Sequence, residues 1–263
     1  MGAMTAIVLP DGTLDLAHRL ADAAGGVIRP YFRTPVSVDD KADESPVTVA
    51  DREAEMAMRT LLLAERPDDG VVGEEHGTVN PGADWVWVLD PIDGTKSFIT
   101  GMPTFGTLIA LLHKGVPVLG IIDQPISGER WVGVSGQRST LNGRDISVRA
   151  CAGLGQAVAF TTDPALFTGD DSAAWGRLNA AVKMRRYSAD CYAYGLLATG
   201  FVDVVCEAGM KLYDFAAVVP VIQGAGGIIT DWQGGPLGQT SDGHILAAGD
   251  ARSHAEAMQR LKG

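Results

Sequence analysis

The run DWVWVLD, Asp84 to Asp90, alternates without a polar face. Trp85 and Trp87 point one way, Val86 and Val88 the other, so it reads as a buried strand. It ends on a carboxylate. Pro91 is expected to stop the strand, because proline cannot donate to a ladder. Asp93 follows on the turn, and Gly94-Thr95 is expected at the start of the next helix. Two unit charges about 4 Å apart, at an effective dielectric near 20, repel by roughly 4 kcal/mol. A buried pair of acids therefore calls for something positive between them.

Around this strand the chain reads as helices followed by a sheet, then an alternation. Leu14 to Phe32 has helical spacing, with Leu16, Leu20, Ala24, Val27, Ile28 and Tyr31 on or near one face. VSVDDKADESP, residues 36–46, is polar and reads as a mobile loop; Thr48 to Glu65 is a second helix. GVVGEE is a short strand running into Glu74 and Glu75. TFGTLIALL, PVLGIID and RWVGVS continue an antiparallel-looking sheet, and STLNGRDISV carries a hairpin turn at Asn142-Gly143. From about Ala150 strands and helices alternate: AVAFT, CYAYGLLATG, VDVVCE, DFAAVVPVIQGAG and GIITDW. The fold class is thus α/β: an α+β half over about residues 5–149 that carries the acidic motifs, and an α/β half over 150–263, together one unit.

Composition narrows the function. A net charge of -11 excludes a basic face for nucleic acid or an anionic membrane, and it suits a phosphate only if bound cations reverse the local sign. The three cysteines, Cys151, Cys191 and Cys206, have no metal-binding spacing and read as reduced thiols of a cytoplasmic protein. No run approaches 18 apolar residues, and MGAMTAIV lacks a signal-peptide pattern; Met4 is the expected native start. GAGG, Gly224 to Gly227, follows a helix and precedes a strand, the reverse of the dinucleotide-binding order, so it reads as a helix end and turn.

Asp90 and Asp93 are hard oxygen ligands of the kind Mg²⁺ takes, and helix-start N–H groups of Gly94 and Thr95 would face an anion. The competing reading is a capped strand-to-helix turn. Glu74-Glu75 at a strand end and Asp214 at the head of an apolar helix shift the balance, although Asp214 also suits a helix cap. Thr48-x-x-Asp51 by itself reads as a capping box.

DPIDGT after an apolar strand, GEE upstream and a (W/Y)D-x-A helix downstream resemble the inositol monophosphatase family of Mg²⁺-dependent phosphatases. The resemblance runs from about Leu14 to the C-terminus and implies a layered αβαβα sandwich. It implies that Glu74, Asp90 and the carbonyl of Ile92 hold one metal, that Asp90, Asp93 and Asp214 hold a second, and that a third ion lies near Glu74. Gly94 and Thr95 would receive the phosphate, and Asp51 would polarise the Thr95 hydroxyl that orients a metal-activated water for in-line attack. A homodimer, and closure over the metal by a loop around Lys41, are also implied.

Departures from the inositol enzymes point to the ester. Tyr213 stands where tryptophan is usual, and Asp190-Cys191-Tyr192 replaces small neutral residues. The run from Asp190 to Trp232 resembles the histidinol-phosphate phosphatase branch. Asp190 and Glu207 would place two acids at the non-phosphate end of the pocket, suiting a cationic amino alcohol; Asp190 is equally suited to cap its helix. Inositol 1-phosphate or another sugar or nucleotide phosphate is the alternative, and a catalytically idle binder of metal or phosphometabolite the non-enzymatic one. Arg185 and Arg186 read as exposed, within possible reach of substrate or a second subunit.

Overall fold

A computed structural model describes residues 7–35, 38–40 and 46–263. The expectations for Met4 and for a loop around Lys41 fall outside these. The chain opens with α1 (Thr13–Tyr31), the ribbon of β1 (Val38–Asp40) and β2 (Pro46–Thr48), and α2 (Val49–Glu65). Part of the segment expected as loop is therefore strand, because Val38 to Asp40 pair antiparallel with Thr48 to Pro46.

The first sheet follows: β3 (Gly70–Gly73), β4 (Thr78–Val79), β5 (Trp85–Asp93), the short α3 (Thr95–Ile99), β6 (Gly106–His113), β7 (Val116–Gln124), β8 (Glu129–Val134), β9 (Thr140–Leu141) and β10 (Arg144–Asp145). Its spatial order is β10-β9-β8-β7-β6-β5-β3-β4. It is antiparallel except that β3 runs parallel to β5, a crossover that the connection through β4 permits. The β9–β10 hairpin turns at Asn142 and Gly143, both at positive φ (49° and 75°), the pair of left-handed residues a type I′ turn requires.

The second sheet is built from β11 (Val158–Thr161), α4 (Asp170–Ala181), β12 (Met184–Tyr187), α5 (Asp190–Ala198), β13 (Val204–Glu207), α6 (Leu212–Phe215), α7 (Val218–Gly224), β14 (Ile228–Thr230), β15 (Ile245–Ala248) and α8 (Ala251–Lys262). Its order is β12-β11-β13-β15-β14, parallel at β12-β11-β13 and antiparallel thereafter. The run expected as one helix from Asp214 is divided into α6 and α7. The GAGG run ends α7 as expected, with Gly226 in the left-handed region at φ 86° and Gly227 N–H donating to Ile222 O.

Strand alternation sorts these elements into five layers. Trp87, Leu89, Ile109, Leu111, Leu119 and Ile121 pack with α1 and α2. Their neighbours on the other face of the same strands, among them Val86, Val88, Leu108 and Ala110, pack with α5, α6 and α7. Val205, Ile245 and Ala247 close that central core from the second sheet, whose opposite face, Val204, Cys206, Leu246 and Ala248, meets α4 and α8. The αβαβα sandwich follows from two sheets that are each apolar on both sides.

The central helices approach the first sheet very closely. A Cβ on Gly120 of β7 would lie 1.9 Å from Ala217 O, and one on Gly133 of β8 2.4 Å from the backbone of Pro220. Neither neighbour is a side chain that can swing away. Gly120→Ala is expected to lose about 1–3 kcal/mol or more in urea unfolding. Gly26→Ala, on an exposed turn of α1 with nothing within 4 Å, should be neutral or slightly stabilising.

Candidate active site

The site begins with an irregularity in β5. Asp90 pairs with Leu108 and Asp93 with Gly106, so three steps on β5 oppose two on β6. In a regular strand residues three apart face opposite sides of the sheet. The extra residue of this bulge turns Asp93 to the same side as Asp90, toward the central helices. Strand geometry therefore continues to Asp93, and Pro91 does not end it as expected. The missing N–H of Pro91 falls within the register shift, where no ladder bond is lost.

From the opposite wall α6 brings Asp214. Asp90, Asp93 and Asp214 each offer an oxygen, and the three lie within 4.8 Å of one another. They line a cavity of about 300 Å³ with Glu74, Ile92, Gly94, Thr95, Asp190 and Glu207. The structure thus gathers nearly every residue singled out from sequence. Asp51 stands behind Thr95, while Arg185 and Arg186 lie exposed on β12 and do not line this cavity.

Burial makes the cluster electrostatically expensive. Asp90 is 1% exposed, and its Oδ1 has no hydrogen-bond partner among the described residues. Burial, reinforced by Glu74, Asp93 and Asp214, pushes its carboxyl well above the usual range. Asp93 is raised in the same way, by burial and then by Asp190 and Asp214. An all-oxygen donor set of convergent carboxylates with an unmatched buried oxygen fits a hard divalent cation.

Several of these acids also accept hydrogen bonds from backbone. Asp51 Oδ2 accepts from the Thr48 N–H (2.9 Å) and hydroxyl (2.6 Å), the capping box anticipated for α2. Its Oδ1 lies 3.4 Å from Thr95 Oγ1, which is also 3.1 Å from Ile92 O. Asp51 is itself raised, chiefly by burial. Asp214 accepts the Lys211 N–H at 2.6 Å, so its cap role is real as well. Gly94, at φ 88°, is the N-cap of α3 and offers no side-chain cap.

Asp190 does not cap α5; Ala189 holds the N-cap position. Asp190 sits at φ 46°, two residues after Ser188 at φ 60°, a left-handed pair that costs backbone energy. Its carboxylate accepts from Ser97 Oγ at 2.7 Å, and a Cβ on Gly94 would lie 2.7 Å from its Oδ2. Glycine at 94 is thus needed both for its φ and for Asp190. Glu207, 3% exposed at the end of β13, accepts from Thr161 Oγ1 (3.0 Å), Thr162 N–H (2.7 Å) and Thr162 Oγ1 (3.0 Å). Burial outweighs those bonds and raises its carboxyl to about 8.

Sequence reading missed several participants. The Cys191 N–H donates to Asp93 Oδ2 at 2.6 Å, so the start of α5 orients a cluster acid. Lys96 lines the cavity and its charge lowers Asp190 against the effect of burial. Lys96 lies two residues beyond Gly94, in the motif itself. Leu166 and Met210 supply an apolar edge.

These features define a carboxylate-walled cavity whose oxygen donors fit divalent cations. Residues 10–262 match the profile of the Inositol monophosphatase family. The chain is 52% identical over 267 residues to a chloroplastic bifunctional phosphatase, IMPL2, of Arabidopsis thaliana, covering 97% of this chain and 77% of that protein. It is 38% identical over 223 residues to a histidinol-phosphatase of Chlorobaculum parvum, covering 84% and 86%. It superimposes on an inositol monophosphatase from Zymomonas mobilis with a TM-score of 0.89 and 49% identity, covering 97% of this chain and 100% of that one. The chain belongs to the inositol monophosphatase family, metal-dependent phosphatases of small phosphorylated substrates. Among the described residues no helix is long and apolar enough to cross a membrane.

The Glu207 environment sets a pH signature. Its folded-state pKa, about 8, lies above the value near 4.5 of an unconstrained glutamate. Between those values an unfolded Glu207 binds fewer protons than the folded one, so its contribution to stability falls as pH rises from about 4.5 to about 8 and then levels. In chelator, Glu207→Gln removes that penalty. Urea unfolding should show the variant gaining on wild type by more than about 1 kcal/mol between pH 5 and pH 8. A difference that does not change with pH would show that Glu207 is not held in its protonated form.

Proposed function

We propose that this phosphomonoesterase uses Mg²⁺ to hydrolyse L-histidinol phosphate to L-histidinol and phosphate. The observation that carries the reading is that one cavity holds, beside the Asp90, Asp93 and Asp214 cluster, two further acids, the partly buried Asp190 and the buried Glu207. Histidinol carries an ammonium and an imidazole. Asp190 would pair with one of these and Glu207, protonated in the free cavity, would ionise on pairing with the other, whereas a neutral polyol offers neither a counter-charge. The apolar edge of Leu166 and Met210 suits an imidazole ring better than a ring of hydroxyls.

The names of the relatives support different esters. The histidinol-phosphatases are 34–38% identical, and the inositol monophosphatase of Zymomonas mobilis is 49% identical. The weight therefore rests on the residues of the cavity. Inositol 1-phosphate is the competing substrate.

Glu74, Asp90, Asp93, Asp214 and the carbonyl of Ile92 would hold the ions. When bound, Mg²⁺ supplies charge neutralisation for the phosphoryl group and acidifies a bound water. The chain's own part is positioning. Thr95 Oγ1, within reach of Asp51 and of Ile92 O, offers lone pairs that orient an attacking water. Asp51 polarises that hydroxyl, and its second oxygen is fixed by Thr48, so it cannot rotate away without breaking the cap of α2. Gly94 and Thr95, which line the cavity, would receive the phosphate on their N–H groups. Such positioning is what a loose phosphoryl-transfer transition state requires of a protein.

Steady-state kinetics test the reading. The kcat/KM for histidinol phosphate should exceed that for inositol 1-phosphate by at least about tenfold, and phosphate release should need added Mg²⁺. Asp190→Asn should mainly raise KM for histidinol phosphate, whereas Asp93→Asn should abolish turnover of every ester. A tenfold preference for inositol 1-phosphate, on the order used above, would reject the substrate assignment. Phosphate release without Mg²⁺, or none with it, would reject the metal-dependent mechanism.

A further inference from the structure

Helix α2 carries a second buried acid one turn beyond Asp51. Glu55 is fully buried, and its carboxylate is bound on both oxygens. Oε1 accepts from Arg59 Nε at 2.7 Å and from the His76 N–H at 3.1 Å, and Oε2 accepts from the Glu75 N–H at 2.7 Å. Arg59, 7% exposed, also donates to Gly77 O. The turn is closed from the other side, where Gly73 N–H bonds Gly77 O (3.0 Å) and Glu74 N–H bonds Leu89 O (3.2 Å). Every peptide flanking Glu74 is therefore held, and the inner half of that hold comes from one ion pair.

Gly73 shows how tightly the pair is seated. A Cβ there would lie 2.0 Å from Glu55 Oε1 and 2.6 Å from an Arg59 nitrogen. No other residue leaves room for the pair against β3. A buried ion pair is weak evidence for stability, since apolar groups of the same volume often stabilise as well. What apolar groups cannot supply is directed hydrogen bonding to two successive amides.

We propose that Glu55, braced by Arg59, is a positioning residue that sets the Glu74 carboxylate toward Asp90 and thereby tunes metal affinity. Outer partners of this kind typically contribute 10–100-fold to metal binding. With Asp51 at Thr95 and Glu55 at the Glu74 turn, a single face of α2 sets the nucleophile-orienting hydroxyl and a metal-side acid in one register. This inference rests on the reading of Glu74 as a ligand.

Calorimetric titration of the full chain with Mn²⁺ tests it, with circular dichroism reporting fold. Glu55→Gln and the double variant Glu55→Gln/Arg59→Met should each bind Mn²⁺ about tenfold more weakly than wild type while still folded. Wild-type affinity in either folded variant, whatever its Tm, overturns the proposal. Glu74→Gln is titrated alongside. Wild-type affinity there means that the ligand assignment has failed, whereas a loss in Glu74→Gln with none in Glu55→Gln rejects positioning alone. Should Glu55→Gln not fold, Arg59→Lys keeps the charge but loses the planar fork. It should weaken Mn²⁺ binding by about threefold or more, and an unchanged affinity counts against the proposal.

Discussion

A buried carboxylate with one oxygen unmatched among the described residues is the constraint from which the rest of this structure follows. Asp90 is placed there by β5, an otherwise apolar strand in the middle of an eight-stranded sheet. Its nearest charged neighbours are further acids. Desolvating one ionised carboxylate already costs several kcal/mol. Such an arrangement is tolerable only if the group is protonated or shares a cation, and the convergence of Asp93 and Asp214 makes the cation the better answer.

The five-layer architecture is what makes that convergence possible. Asp90 and Asp93 come from the first sheet, Asp214 from the central helices, and Glu207 from the second sheet, so the cavity lies where three layers meet. A single extra residue in β5 decides the chemistry, because without it Asp93 would face α1 and α2 instead. The close seating of α7 on Gly120 and Gly133 fixes the distance between the walls. Local order then comes from hydrogen bonds that each acid also makes to backbone: Asp51 to Thr48, Asp214 to Lys211, Asp93 to Cys191.

Much of this was legible in the residues. The strands of the first sheet, the Asn142-Gly143 turn, both long N-terminal helices and the acids of the cavity all carry local signals, either period-2 alternation or turn chemistry. Cap and site readings competed for Asp51 and Asp214; the cap bonds are present, and the same carboxylates also reach Thr95 and the acidic cluster. For Asp190 the cap reading failed, because Ala189 holds the N-cap position. What stayed hidden is non-local. No periodicity reveals a bulge that an extra residue introduces beside a proline, or the parallel β3–β5 pairing. Lys96 was visible but carried no signal of direction, and nothing in the spacing of α2 singles out Glu55. The ester likewise is not written in spacing, because Asp190 and Glu207 acquire meaning only once the fold sets them across one space.

The central claim is that the acids of β5 and α6 form a cation site in the native protein. Anomalous diffraction from crystals soaked in Mn²⁺ tests it directly. The account predicts a peak at roughly 2.0–2.2 Å from oxygens of Asp90, Asp93 and Asp214. A map with Mn²⁺ ordered elsewhere and none among these three carboxylates would contradict it.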